Sequence, residues 1–114
     1  MNKHHRLDYV EFPATDLQKI KTFYNKVFGW KFEDYGTNYT SFHDGRLAGG
    51  FSSNTAVVRG GTLMVIYSED LQTTYAKVIA AGGKIVKSTF EFPGGRRFHF
   101  TDPSGNELSV WSDK

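Results

Sequence analysis

The stretch Phe98–Trp111, FHFTDPSGNELSVW, decides the fold because it predicts two strands joined by a tight turn. Pro103 fixes φ for a turn corner, and Gly105 permits the positive φ that such a turn needs. Before the turn, Phe98 and Phe100 alternate with polar neighbours, and a similar alternation resumes after it. A period of two residues gives each strand one face for a core and a second face for another role.

The N-terminal half of the chain predicts one β-α-β-β-β unit. Residues 6–13 predict a strand, and Asp16 then predicts the N-cap of a helix. Apolar residues recur at helical spacing until Gly29, which predicts the end of that helix. Three short strand patterns follow, separated by Gly36-Thr37-Asn38 and Asp44-Gly45.

The C-terminal half repeats this pattern. Asp70-Leu71-Gln72 repeats the helix start Asp16-Leu17-Gln18. Gly83 lies at the position equivalent to Gly29, at the predicted end of the helix. The repeat predicts an α+β fold of two tandem β-α-β-β-β modules, forming a curved, partly closed mixed sheet with helices outside and a cleft inside. We expect a single domain over residues 1–114, with module one at about 6–53, a hinge at about 54–61 and module two at about 62–112.

Composition excludes several classes of function. The 114 residues contain no cysteine, which excludes thiol catalysis, thiolate metal sites and disulfides. The net charge of +2 comes from interspersed acidic and basic residues, so we expect no nucleic-acid partner. The N-terminus lacks the apolar segment of a signal peptide, and no apolar run approaches the ~18 residues of a membrane span. We therefore expect a cytoplasmic protein with no membrane partner.

Two stretches carry a resemblance to a known family: VEFPATDLQKIKTFYNKVFGWKF at residues 10–32 and FPGGRRFHFTDPSGNELSVW at residues 92–111. With their FYxxVFGW and DPxGN motifs, they resemble the glyoxalase / bleomycin-resistance / extradiol dioxygenase superfamily, also called vicinal oxygen chelate proteins. More narrowly, the chain is similar to the small two-module branch related to lactoylglutathione lyase. The resemblance spans about residues 6–112 and implies the two-module fold and a homodimer.

The resemblance also implies where metal ligands would lie. Metal-dependent members of the superfamily place a His from the first strand and a Glu from the last strand of each module around a divalent cation. Those four positions fall on Tyr9, Gly49, Leu63 and Ser109 in this sequence. These side chains do not form a divalent site, and a free phenol ionises only near pH ~10. We therefore predict no metal site and no cofactor.

His99 and Glu11 are the candidate catalytic residues. His99 alternates with Phe98 and Phe100, so we expect it to face the cleft beside Arg97. Glu11 shares a strand face with Tyr9, and a carboxylate in an apolar pocket can act as a general base. The alternative for Glu11 is a structural ion pair with Arg97 or another cation of the cleft.

Aromatic and polar side chains predict a ligand-binding cleft. We expect the ligand-binding residues to be Tyr9, Glu11, Arg97, Ser109 and Trp111. Trp30, Tyr39 and Phe51 are expected to add aromatic walls. Arg96 and Arg97 follow Pro93-Gly94-Gly95, which predicts either a loop that clamps an anionic group or a solvated basic turn.

Three functions are compatible with these patterns. The first is a metal-free binding protein of the bleomycin-resistance type that holds a small aromatic or amphipathic molecule in the cleft. The second is a metal-free enzyme, of lyase or isomerase type, that transfers protons with Glu11, His99 or Tyr9. The third is a protein interaction module whose cleft is filled by a partner or by its own side chains. The missing metal ligands and the aromatic content favour the first.

Overall fold

A computed structural model of the chain describes residues 4–114, which form eight strands and two helices. In chain order these are β1 Tyr9–Pro13, α1 Leu17–Phe28, β2 Lys31–Asp34, β3 Tyr39–His43, β4 Ala48–Ser52, β5 Met64–Tyr67, α2 Leu71–Ala80, β6 Lys84–Phe92, β7 Gly95–Thr101 and β8 Glu107–Ser112. Neither helix in this part of the chain has the length and apolar character needed to cross a membrane.

The strands form two four-stranded mixed sheets, with strand orders β1-β4-β3-β2 and β5-β8-β7-β6. In each sheet the first strand pairs in parallel with the last strand of its module, and the other pairings are antiparallel. The predicted α+β fold with two β-α-β-β-β modules is confirmed. Within residues 4–114, no strand of one sheet pairs with a strand of the other, so the two sheets remain open and separate.

Both helices begin at the predicted aspartates. The side chain of Asp16 accepts a hydrogen bond from the backbone N–H of Lys19 at 3.1 Å, and Asp70 does the same for Thr73 at 3.1 Å. Each bond pairs a backbone donor that the first helical turn leaves without a partner. Gly29 ends α1 in the left-handed conformation, as its place in the sequence predicted.

The end of α2 differs from the prediction by one residue. Gly82, and not Gly83, takes the left-handed conformation after the helix, with φ +97°. Gly83 has a different role, because a Cβ there would lie 2.7 Å from Cγ1 of Val78. The absence of a side chain at Gly83 therefore allows the chain to pass close to α2.

An aromatic cluster packs α1 against the first sheet. The ring of Trp30 stacks on Tyr24 at 4.7 Å and on Phe42 at 4.4 Å between centroids, and Phe51 stacks on Phe12 at 5.0 Å. Burying each such ring contributes on the order of 1.5–3 kcal/mol. The prediction that Trp30 and Phe51 line the cleft is wrong, because both rings are buried on the helix side of the sheet.

A buried carboxylate in the turn between β7 and β8 joins the two modules. Asp102 is 4% exposed and accepts hydrogen bonds from Tyr24 Oη of α1 at 2.8 Å and from Asn106 Nδ2 at 3.0 Å. The backbone N–H groups of Ser104 and Asn106 donate to its other oxygen. Burial raises the pKa of Asp102, and these hydrogen bonds oppose that shift. Asn106 Nδ2 also donates to the carbonyl oxygen of Pro13 at 2.8 Å, which fixes the turn against the end of β1.

We expect Asp102→Asn to destabilise the fold by about 1–3 kcal/mol. The new amide nitrogen would face the Nδ2 donor of Asn106, and the hydrogen bond between those two positions would be lost. Urea denaturation followed by circular dichroism measures the free energy of unfolding.

Asp113→Asn is the matched control, because Asp113 is exposed and accepts one hydrogen bond from Tyr67 Oη at 2.7 Å. Its cost should stay below about 1 kcal/mol. Equal losses in the two variants would show that the buried network has no special importance for stability.

Candidate functional site

Each sheet has one face against the helices and one face turned away from them. On the first sheet, the face away from the helices, here called the tyrosine face, carries Tyr9, Glu11, Tyr39, Ser41 and His43. On the second sheet the corresponding face, here called the arginine face, carries Arg97, His99, Glu107, Ser109 and Trp111. The alternation of side chains along β1, β3, β7 and β8 fixes these two sets.

Two phenols meet on the tyrosine face. The hydroxyl groups of Tyr9 and Tyr39 are hydrogen bonded to each other above Gly50. A Cβ at Gly50 would collide with the hydroxyl of Tyr39 and lie 2.8 Å from that of Tyr9, so the phenols need glycine at this position. Burial, the bond to Tyr9 and the charge of Glu11 raise the pKa of Tyr39. Tyr39 therefore stays protonated at neutral pH.

A cavity of about 480 Å³ lies over the tyrosine face. Its walls include the rings of Tyr9, Tyr35 and Tyr39, with Lys31 and Glu33 as charged groups. A larger cavity of about 620 Å³ lies on the helix side, between α1 and the turn at residues 102–106, and none of the predicted site residues lines it. The smaller cavity is the candidate site, because it combines three tyrosine rings with a few polar groups.

A hydrogen-bonded chain crosses the arginine face. His99 Nδ1 lies 2.9 Å from Glu107 Oε2, and Arg59 Nε donates to Glu107 Oε1 at 3.0 Å. These bonds, with His99 first and Arg59 second, lower the pKa of Glu107. Because a carboxylate only accepts hydrogen bonds, His99 donates from Nδ1 to Glu107. The other ring nitrogen, Nε2, is buried and has no hydrogen-bonding partner among residues 4–114.

The guanidinium group of Arg97 packs against two phenylalanine rings of β6. Its guanidinium carbon lies 5.4 Å from the ring centroid of Phe90 and 5.5 Å from that of Phe92. Its Nε atom is buried and has no hydrogen-bonding partner in the described part of the chain. Arg96 points the other way and donates from Nη2 to the carbonyl oxygen of Lys114 at 2.9 Å. Both arginines lie on β7 directly after the turn at Pro93-Gly94, and as consecutive strand residues they face opposite sides of the sheet.

The predicted site residues fall into two groups. Tyr9 and Glu11 share the tyrosine face, while Arg97, His99 and Trp111 share the arginine face. Within residues 4–114, no hydrogen bond, ion pair or ring contact joins these groups. In this part of the chain Glu11 is exposed, and the alternative of a structural ion pair between Glu11 and Arg97 is not formed.

Ser109 and Trp111 differ in their access to a ligand. Ser109 is fully buried, and its hydroxyl donates to the carbonyl oxygen of Phe98 at 3.0 Å. Trp111 is half-buried and contacts the rings of Tyr67 and Phe92. Trp111 can therefore contact a ligand directly, whereas the Ser109 hydroxyl is already paired with the backbone.

Sequence reasoning missed Glu107 and Arg59. The alternation around the turn at 102–106 places Glu107 on the same face as His99, so Glu107 could have been found from the strand pattern. Arg59 lies in the segment between the modules, where no periodic pattern fixes the direction of a side chain. Phe90 and Phe92 were also missed as neighbours of Arg97.

Residues 6–110 match the Glyoxalase/Bleomycin resistance protein/Dioxygenase superfamily, and the chain belongs to this family. The resemblance stated from the two sequence stretches is thereby confirmed. The family includes proteins of several different activities, so membership fixes the fold and leaves the chemistry to the site.

Individual relatives agree with this family. CFP32 of Mycobacterium tuberculosis is 24% identical over 115 residues, covering 91% of this chain, and this chain spans 44% of the length of that relative. A glyoxylase-like domain-containing protein of Didymella fabae is 28% identical over 121 residues, covering 94% of this chain and 93% of the relative.

A solved structure gives the same result for the fold. The crystal structure of a glyoxalase/bleomycin resistance protein/dioxygenase family enzyme from Burkholderia phytofirmans PsJN superposes with a TM-score of 0.80. The sequence identity is 19%, and the match covers 95% of this chain and all of the other.

The metal-ligand positions of the superfamily carry unsuitable side chains here. Tyr9 is engaged with Tyr39, and Ser109 with the backbone of Phe98. A Cβ at Gly49 would point to the helix side, against the ring of Phe42, and Leu63 precedes the first residue of β5. Among the residues described, no group of three or more His, Cys, Asp or Glu side chains is arranged to hold a metal ion. The donors present do not fit a divalent cation.

We expect isothermal titration with Ni²⁺, Zn²⁺, Mn²⁺ or Fe²⁺ to show no stoichiometric binding at micromolar affinity. The reason is that the four ligand positions of the superfamily carry no imidazole or carboxylate in this chain. They are occupied by Tyr9, Gly49, Leu63 and Ser109. Tight one-to-one binding that Tyr9→Phe abolished would contradict this prediction.

Proposed function

We propose that the chain binds a small aromatic or amphipathic organic molecule on the tyrosine face, without a metal ion. The cavity of about 480 Å³ lined by Tyr9, Tyr35 and Tyr39 carries the proposal. Its volume lies within the range of about 300–1,000 Å³ found for small-molecule sites. Membership of a superfamily that includes bleomycin resistance proteins supports a binding role of this kind.

The chemistry of the cavity indicates the ligand it would accept. Each aromatic ring that stacks on a tyrosine ring contributes about 0.5–1.5 kcal/mol beyond the area it buries. The paired hydroxyls of Tyr9 and Tyr39 offer a polar anchor at one point of the wall. Glu33 in the wall and Glu11 on the same face carry two negative charges against the single positive charge of Lys31, which favours neutral or cationic ligands over anionic ones.

A thermal-shift screen with neutral and cationic aromatic compounds should find ligands that raise Tm by several degrees. A ligand at 100 times its Kd adds about 2.7 kcal/mol to the free energy of unfolding. Tyr9→Ala should weaken the best ligand at least about tenfold, because it removes one wall of the cavity. The folding cost should be small, because Tyr9 is 46% exposed.

Tyr9→Phe is the matched control for that variant, since it keeps the ring and removes the hydroxyl. It should retain most of the affinity if stacking dominates. Equal affinity of the wild type and Tyr9→Ala for the best ligand would disprove the proposed site.

We also propose that two copies of the chain pair as a homodimer. Exposed apolar side chains lie on the edge strand β5, where Val65 is 46% and Tyr67 is 44% exposed. Edge strands with such side chains tend to be covered by a partner, and closed symmetric pairs are the commonest oligomers.

Light scattering after size exclusion should give twice the monomer mass of 12.9 kDa. Val65→Lys should shift the population towards the monomer, because it places a charge in the proposed interface. Val58→Lys is the control, since Val58 is 80% exposed in the segment between the modules. A monomeric wild type at 100 µM, or equal behaviour of the two variants, would contradict the proposal.

A further inference from the structure

Two buried nitrogen atoms on the arginine face have no hydrogen-bonding partner among the residues described. They are Nε of Arg97 and Nε2 of His99. Both residues lie on β7, two positions apart and on the same face, so their Cα atoms are about 6.5 Å apart. The side chain of His99 is only 5% exposed. Buried polar atoms without partners are costly, and two on one face indicate that a further group completes the site.

The charges around these atoms favour an anion. Arg97 on β7, Arg59 from the segment between the modules and Lys87 opposite His99 on β6 are cationic. The carboxylate of Glu107 on β8 is bonded to two of the residues on this face. One of its oxygens pairs with His99 and the other with Arg59. The positive charge of Arg97 therefore has no counter-charge bonded to it in this part of the chain.

The surroundings of Arg97 are aromatic. Phe90 and Phe92 contact its guanidinium group, and Trp111 lies directly opposite Arg97 on β8 and contacts Phe92. A guanidinium packed against two rings keeps its N–H groups oriented, which lowers the entropy lost when it binds a carboxylate. The half-buried ring of Trp111 offers a surface on which a planar ligand can stack.

We propose that Arg97 and His99 form a binding site for the carboxylate group of a small aromatic acid. Arg97 donates from Nε to one carboxylate oxygen. His99 takes up a proton from solvent at Nε2 and donates it, as a hydrogen bond, to the carboxylate. Glu107 stabilises the resulting imidazolium through its bond to Nδ1. The aromatic ring of the ligand lies against Trp111. This site is separate from the cavity over the tyrosine face and does not depend on it.

Access to the site requires movement of Phe90. Its ring lies 5.8 Å from that of His99, between centroids, and it also contacts Arg97. Phe90 follows a shift in register between Lys87 and Phe90 on the edge strand β6. A residue beside such an irregularity has fewer ladder hydrogen bonds to hold it, so it can move aside when the carboxylate enters.

The test is calorimetric titration with benzoate and with benzamide, which has the same ring but no charge. Wild type should bind benzoate at least about tenfold more tightly than benzamide, and more tightly at pH 6 than at pH 8. Titrations in two buffers of different ionisation enthalpy should show net proton uptake on binding. Equal affinity for the two compounds would overturn the proposal.

Arg97→Gln should weaken benzoate binding at least about tenfold, with Arg96→Gln on the opposite face as the matched control. His99→Gln should keep a donor at the same place and lose the pH dependence. Thermal unfolding of each variant shows that it folds. Equal affinity in Arg97→Gln and Arg96→Gln would also overturn the site. Benzoate binding should be unaffected in Tyr9→Ala, which separates this result from the outcome at the tyrosine face.

Discussion

The buried carboxylate of Asp102 is the interaction on which the arrangement of the two modules depends. It lies in the turn of the second module and accepts a hydrogen bond from Tyr24, whose ring is part of the core of the first. The same turn reaches the end of β1 through Asn106. A buried charge is stable only when its hydrogen bonds are satisfied, so this network fixes the positions of α1, β1 and the β7–β8 turn together.

Local chemistry made part of the fold predictable. Asp16 and Asp70 cap helices because their side chains fit the first helical turn, and no tertiary contact is needed to see that. The alternation around the turn at 102–106 identified the faces of β7 and β8 correctly. The strand β4 was predicted but the direction of Phe51 was not, because Gly49 and Gly50 interrupt the alternation of side chains there.

Only some residues of the candidate site could be predicted from the sequence. Tyr9, His99 and Arg97 were found because each lies on an alternating strand. The bond between Glu107 and Arg59 depends on the path of the segment between the modules, which no periodicity describes. Pro93-Gly94-Gly95 predicted a turn or loop, and the structure has a turn at Pro93-Gly94, after which β7 begins at Gly95, paired to Phe92. Arg96 and Arg97 lie on opposite faces because they are consecutive residues of that strand.

Helix α1 contacts both sheets, since Phe23 packs against Phe100 of β7 while Tyr24 packs against Phe51 of β4. The two halves of the chain therefore share the same order of strands and helix, but neither half has a hydrophobic core of its own. Loss of order in either half would expose α1 and remove part of the core of the other half. The chain should therefore behave as one cooperative unit, in which amide protons at the centres of both sheets exchange with solvent through the same global opening.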